Sequence, residues 1–108
     1  MIYTIFRARL KEEAIEEYEA MQAHLLEKVK TMPGFVSYDA YASLDGEQLA
    51  IEVFQDQQAL SAWMAHPAHQ EAQRLGKECF YSEYHVLVCE DPRTYSFPAR
   101  KTGAPGQE

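Results

Sequence analysis

Residues 54–84, FQDQQALSAWMAHPAHQEAQRLGKECFYSEY, decide how the rest of the chain is arranged. Asp56 is placed to cap a helical turn filled by Gln57 and Gln58. Ala59, Leu60, Trp63 and Met64 follow at helical spacing, so a short amphipathic helix is expected there. His66-Pro67 should break it, because the residue before a proline is pushed out of the helical region and proline itself fits only a first turn. A second helical run is then expected from about Ala68 to Lys77, closing near Gly76. Two short helices meeting at this bend bring Trp63, the chain's single tryptophan, near His66 and His69. A ligand site is expected at that point.

Working outward, Ile2–Leu10 alternates as a strand, with Ile2, Thr4, Phe6, Ala8 and Leu10 on one side and Tyr3, Ile5, Arg7 and Arg9 on the other. From about Lys11 to Thr31 the period becomes helical: Ile15, Tyr18, Met21, Leu25 and Val29 recur every three or four residues. Acids gather at the start of this helix and Lys28 and Lys30 at its end, as the helix dipole favours. Met32-Pro33-Gly34 stops it. Phe35–Ser43 reads as a strand, Asp45-Gly46 is a hairpin signal, and Gln48–Gln55 should return antiparallel. Leu49, Ile51 and Val53 form the apolar side of that returning strand, with Ala50, Glu52 and Phe54 on the other.

Downstream, Phe80–Glu90 is a last strand, so nearly apolar that cover on both faces is expected. The segment from Asp91 onward, residues 91–108, is rich in proline and glycine and is expected to be irregular or to lie along a neighbouring subunit. The order βαβ then βαβ over residues 1–90 predicts an α+β, ferredoxin-like split βαβ fold. Its four-stranded antiparallel sheet would carry helices on one face. The bare face should then seek a partner.

With 108 residues the chain is expected to form one domain whose core would gain from self-association. A net charge of −7 opposes nonspecific binding to nucleic acid or anionic lipid. There is no apolar run of membrane-helix length and no leader-like start, so a cytoplasmic protein is expected. Cys79 and Cys89 read as free thiols, since an extended chain holds them on the order of 30 Å apart. No CxxC, HExxH or carboxylate cluster points to a metal.

Four features together carry a resemblance: Met32-Pro33-Gly34-Phe35 after the long helix, the Asp-Gly hairpin, the stretch from Asp56 to Trp63, and His66-Pro67-Ala68-His69. In their order and spacing the chain resembles the antibiotic biosynthesis monooxygenase family of the dimeric α/β-barrel superfamily over roughly residues 1–90. The resemblance implies a homodimer formed by two sheets packing face to face. It also implies oxidation of a quinol-like or polyphenolic small molecule by dioxygen, with neither metal nor flavin. Such chemistry needs an apolar pocket, a proton acceptor and donors that hold the anion.

Trp63 falls where that family commonly has a pocket tryptophan, and Tyr84, grouped with Val86 and Val88 on one side of the last strand, is the second expected wall. His69 and His66 are the candidate bases, since histidine titrates near neutral pH. His66-Pro67 would equally serve as a plain bend. Arg7 could hold an anionic substrate oxygen or balance Glu52 across the sheet, and an ordinary ion pair is the simpler of the two.

Three alternatives stand beside the oxygenase. A noncatalytic small-ligand-binding dimer is one, and a small-molecule isomerase is another. The third is a haem-degrading branch of the superfamily, which carries its iron-ligating histidine at the position that is Gln73 here and an asparagine in a first strand that has none here.

Overall fold

The computed structural model describes residues 1–98. Strand β1, Ile2–Leu10, leads through a short 3-10 turn at Glu12–Ala14 into helix α1, Ile15–Val29. Strands β2, Phe35–Ala42, and β3, Gln48–Phe54, form the expected hairpin. Helices α2, Gln57–Ala65, and α3, Pro67–Leu75, precede a π turn at Gly76–Phe80 and strand β4, Tyr81–Glu90. The strands form one antiparallel sheet in the order β2-β3-β1-β4, with the helices on one face. This is the ferredoxin-like α+β arrangement expected from the sequence.

Local chemistry explains the boundaries. The Asp56 carboxylate accepts from the Ala59 amide at 2.9 Å, capping α2. His66 leaves the helical region at ψ 135 and Pro67 restarts the helix at its first position. Gly46, at φ 92, makes the hairpin turn that a side chain would resist. Gly34 matters for packing as well as for its φ of 85, because a Cβ there would lie 2.5 Å from the Ala59 Cβ. Only glycine lets the start of β2 come so close to α2.

One expected boundary shifts. The third helix does not run on to Lys77: from Gly76 the backbone widens into the π turn, and Phe80 ends that turn instead of opening the strand. The Phe80 carbonyl is taken by the Lys11 amide at 2.8 Å, while its ring is buried beneath α1 with Ala14 and Tyr18. The structure also shows which side of β3 meets the helices, a choice the strand pattern left open. Its more apolar side, Leu49, Ile51 and Val53, shares a face with Tyr3, Ile5 and Arg7, away from the helices, and it is Ala50, Glu52 and Phe54 that look toward them. Register decides this, since Thr4, whose face the buried Ile2 fixes, stands opposite Glu52.

The core divides into two clusters. Ile2, Val29, Phe54, Ala59, Leu60 and Trp63 pack at one end. Ala14, Tyr18 and Phe80 pack at the other. Strand β4 lies at the sheet edge, and in the single chain Tyr84, Val86, Leu87 and Val88 are exposed, so the cover expected on both its faces is not supplied by this chain's own described residues. Residues 91–98 form no regular element, and the remainder of the expected irregular tail lies outside the described residues. Cys79 and Cys89 are free.

Candidate functional site

Between the helix layer and the sheet lies a cavity of about 350 Å³, within the range typical of small-molecule sites. Its floor is the covered sheet face, including Thr4, Phe6, Tyr38, Glu52 and Tyr84. Its roof comes from α1 through Tyr18, Met21 and Gln22, and from α2 and α3 through Trp63 and His69. The strand period of two and the helical period of 3.6 thus deliver alternate residues of each element to one space.

Trp63 is only 2% exposed and forms the wall that the cavity shares with the larger core cluster. Its ring lies 5.4 Å from the His66 ring and 5.4 Å from the His69 ring, so the bend does assemble the three residues as expected. The two histidines then part company. His66 Nδ1 accepts from the Ala68 amide at 3.0 Å and caps α3, and His66 does not line the cavity. His69 does line it, although its Nδ1 is shut off from solvent without a hydrogen-bond partner. Burial pushes the His69 pKa below the ordinary imidazole value and neighbouring His66 adds to that, with the Met64 carbonyl pulling the other way.

Tyr84 stands on the floor as expected, stacked on Phe6 at 5.6 Å and next to Tyr81 at 5.9 Å. Arg7 is elsewhere. It lies on the open face, half-exposed, with its guanidinium on Glu47 at 2.9 Å instead of on Glu52. The position that an iron-ligating histidine would occupy, Gln73, does face the cavity. Among the described residues no group of three or more His, Cys, Asp or Glu could hold a metal ion.

Several polar residues in the cavity were not singled out from the sequence. Glu52 is the most telling: burial pushes its carboxyl up to about 7, and its hydrogen bond from the Thr4 hydroxyl, 3.4 Å long, lowers it only in part. Tyr38, opposite Glu52 in the hairpin, accepts from the Gln22 amide, and burial raises its pKa. Burial likewise raises Tyr18, and takes Tyr81 to about 12. These three phenols stay protonated at neutral pH, and Tyr18 donates to Tyr81. The hairpin register contained the signal, because pairing Phe35–Ser43 with Gln48–Gln55 about Asp45-Gly46 sets Tyr38 beside Glu52.

Comparison with known proteins agrees with the architecture. The antibiotic biosynthesis monooxygenase family profile matches residues 1–75. The protein YqjZ of Bacillus subtilis is 23% identical over 95 residues, spanning 88% of this chain and 83% of its own. Among solved structures, Rv0793 from Mycobacterium tuberculosis superimposes with a TM-score of 0.78 at 21% identity, covering 86% of this chain and 96% of that one. SnoaB from Streptomyces nogalater, described as a cofactor-independent oxygenase, gives 0.72 at 22% identity, covering 86% and 94%. At such identities the structures speak for the fold, while the profile covers well over half of the sequence. The chain belongs to the antibiotic biosynthesis monooxygenase family.

Proposed function

We propose that this protein is a cofactor-independent monooxygenase that oxidises a quinol-like or polyphenolic small molecule with dioxygen, and that it works as a homodimer. The observation that carries this reading is a largely apolar, aromatic cavity holding a carboxyl that titrates near neutral pH, Glu52 in the floor, and an imidazole that burial keeps from protonating, His69 in the roof. Family membership supports a monooxygenase-like reaction.

A phenol that loses its proton can give an electron to dioxygen without a metal or flavin. For an anthrone-type ring carbon the balance is CH2 plus O2 giving C=O plus H2O: the carbon loses four electrons and the two oxygen atoms gain them. Trp63 and Tyr84 act as ring-stacking walls that keep water from the intermediates. Tyr38 and Tyr81, whose hydroxyl oxygens accept from Gln22 and Tyr18, keep their own hydrogens to give to the anion. The reading is tested by oxygen uptake of the chelator-treated protein against a panel of quinols and anthrones, corrected for autoxidation. Uptake proportional to protein supports it; none across the panel counts against it.

The dimer is supported by the open sheet face, where Ile5, Leu49, Ile51 and Leu87 stand side by side, partly or largely exposed. A second copy packed there would bury them. Light scattering should report twice the monomer mass, and Ile51→Lys should reduce it. A cytoplasmic location belongs to the same reading; among the described residues no helix is long and apolar enough to cross a membrane.

A further inference from the structure

Glu52 is an odd residue for its position. It sits on β3, an inner strand of the sheet, with Thr4 opposite on one side and Tyr38 on the other, facing the cavity. A carboxylate in such a place normally has a cation. Among the described residues lining the cavity the only lysine or arginine is Lys77, at the turn after α3, and Glu52 forms no ion pair. The arginine that the sequence offered, Arg7, is on the opposite face of the sheet. Among the described residues Thr4 Oγ1 is the one hydrogen-bond donor to the carboxylate, at 3.4 Å, and Glu52 lines the cavity.

The neighbours complete the argument. Tyr38 uses its oxygen to accept from Gln22, which leaves its own hydrogen to give. The titratable groups facing this space are Tyr38 from β2, Tyr18 from α1, His69 from α3, Lys77 from the π turn, and Tyr81 and Tyr84 from β4. None besides Glu52 is a carboxylate. His69 presents a buried Nδ1 that solvent does not reach.

We propose that Glu52 is the group that takes the proton of the bound phenol, with Tyr38 beside it donating to the anion that results. The substrate class follows: a neutral hydroxyarene or its anthrone tautomer, with its acidic group turned to the sheet. In the step, the acidic bond breaks, the O–H of a phenol or the ring C–H of an anthrone, its electron pair spreads onto the ring oxygen, and the proton joins a Glu52 carboxylate oxygen. No electron leaves the substrate until dioxygen arrives. Negative charge thereby moves from a compact, poorly solvated carboxylate into a ring that spreads it. The carboxyl's pKa of about 7 brings it nearer to a phenol than an ordinary carboxylate would be, which makes the transfer less uphill.

This proposal rests on the oxygenase reading for its substrate, but it can be tested without oxygen. Dithranol, a hydroxyanthrone whose anion absorbs at longer wavelength than the neutral form, is mixed with the protein under nitrogen at a series of pH values. The wild type should form the anion along a limb centred near pH 7. Glu52→Gln, which keeps the shape of the side chain, should lower the rate of anion formation by roughly a hundredfold or more. Glu52→Asp should recover part of it. Near-ultraviolet dichroism of Trp63 verifies that each variant is folded.

An unchanged rate in Glu52→Gln overturns the proposal. So does a loss confined to His69→Asn, or a wild type that forms no anion. Admitting air then separates the two readings: an anion that forms through Glu52 but consumes no oxygen overturns the oxygenase and leaves the proton acceptor standing.

Discussion

On the open face of the sheet Arg7 reaches Glu47 at 2.9 Å and Arg9 reaches Asp45 at 2.9 Å, while on the covered face Glu52 has only the Thr4 hydroxyl at 3.4 Å. The open face pairs its charges where water already solvates them, and such pairs add little to stability. The covered face holds a carboxylate where pairing would matter and omits the partner. Burial of that kind costs stability unless it is compensated, and groups so placed concentrate at functional sites. Apolar burial follows the helices more than the face: Trp63 is 2% exposed, while at the edge strand β4 Leu87 on the open face and Val88 on the covered face are 40% and 57% exposed.

The largest effect should come from Trp63. Replacing it with Ala removes the wall between the packed cluster and the cavity, and it should cost about 3–5 kcal/mol in denaturant unfolding. In the Ile51→Lys background, which removes the proposed partner copy, Leu87→Ala should cost well under half of that, about 1 kcal/mol, since much of the side chain is then in water. If the two costs were equal, the covered face would not be the organised one.

Next comes pH. In the unfolded chain the Glu52 carboxyl titrates near its ordinary 4.5, and in the fold near 7. Between these values the folded state binds more protons, so stability falls as pH rises through the window and levels off above it. At about 1.4 kcal/mol per pH unit the whole fall is on the order of 3 kcal/mol. Asp45 and Glu71, held below their ordinary pKa by hydrogen bonds with Ser43 and Arg9 and with Arg74, act in the opposite sense at lower pH. The clean quantity is therefore the difference between wild type and Glu52→Gln, measured by unfolding from pH 4 to pH 8. A difference that does not change with pH would mean that Glu52 is solvated after all.

The sequence carried the fold further than the site. Asp56, His66-Pro67 and Asp45-Gly46 act through backbone chemistry within a few residues, so capping, helix breaking and turning could be read directly. The choice of which β3 face meets the helices, which the strand pattern left open, is made by register against β1 and by the buried Phe54. Glu52 shares that face and so lies in the cavity. Trp63, His69 and Tyr84 line the cavity because each falls on a face that local period already defined. Arg7 and His66 were credible by residue type, but strand alternation puts Arg7 on the open face with Glu47, and the Ala68 amide holds His66 outside the cavity.

A smaller effect separates His66 from His69. The His66 ring accepts the Ala68 amide at the start of α3, so His66→Ala should cost about 1 kcal/mol, as loss of a helix cap does. His66→Asn, which can restore an acceptor, should recover most of this. Neither change removes a cavity-lining group, so oxygen uptake per folded molecule should follow stability alone. A fall in uptake beyond the unfolded fraction would bring His66 back into the chemistry.

The smallest effect is expected for Arg7, and it is the most direct challenge to the contrast between the two faces. Arg7→Ala deletes a half-exposed guanidinium from an ion pair with Glu47, with Asp45 and Arg9 close by to share the local charge. The melting midpoint of the chain at moderate salt should stay where it is, because water replaces what the pair loses. Oxygen uptake should also hold, since the sheet itself lies between Arg7 and the cavity. Should Arg7→Ala instead change the light-scattering mass, the arginine would be reporting on the surface between two copies. Should it raise the KM for a phenolic substrate while the mass stays fixed, an open-face residue would be reaching a site, and a cavity built from the covered face alone would be an incomplete description.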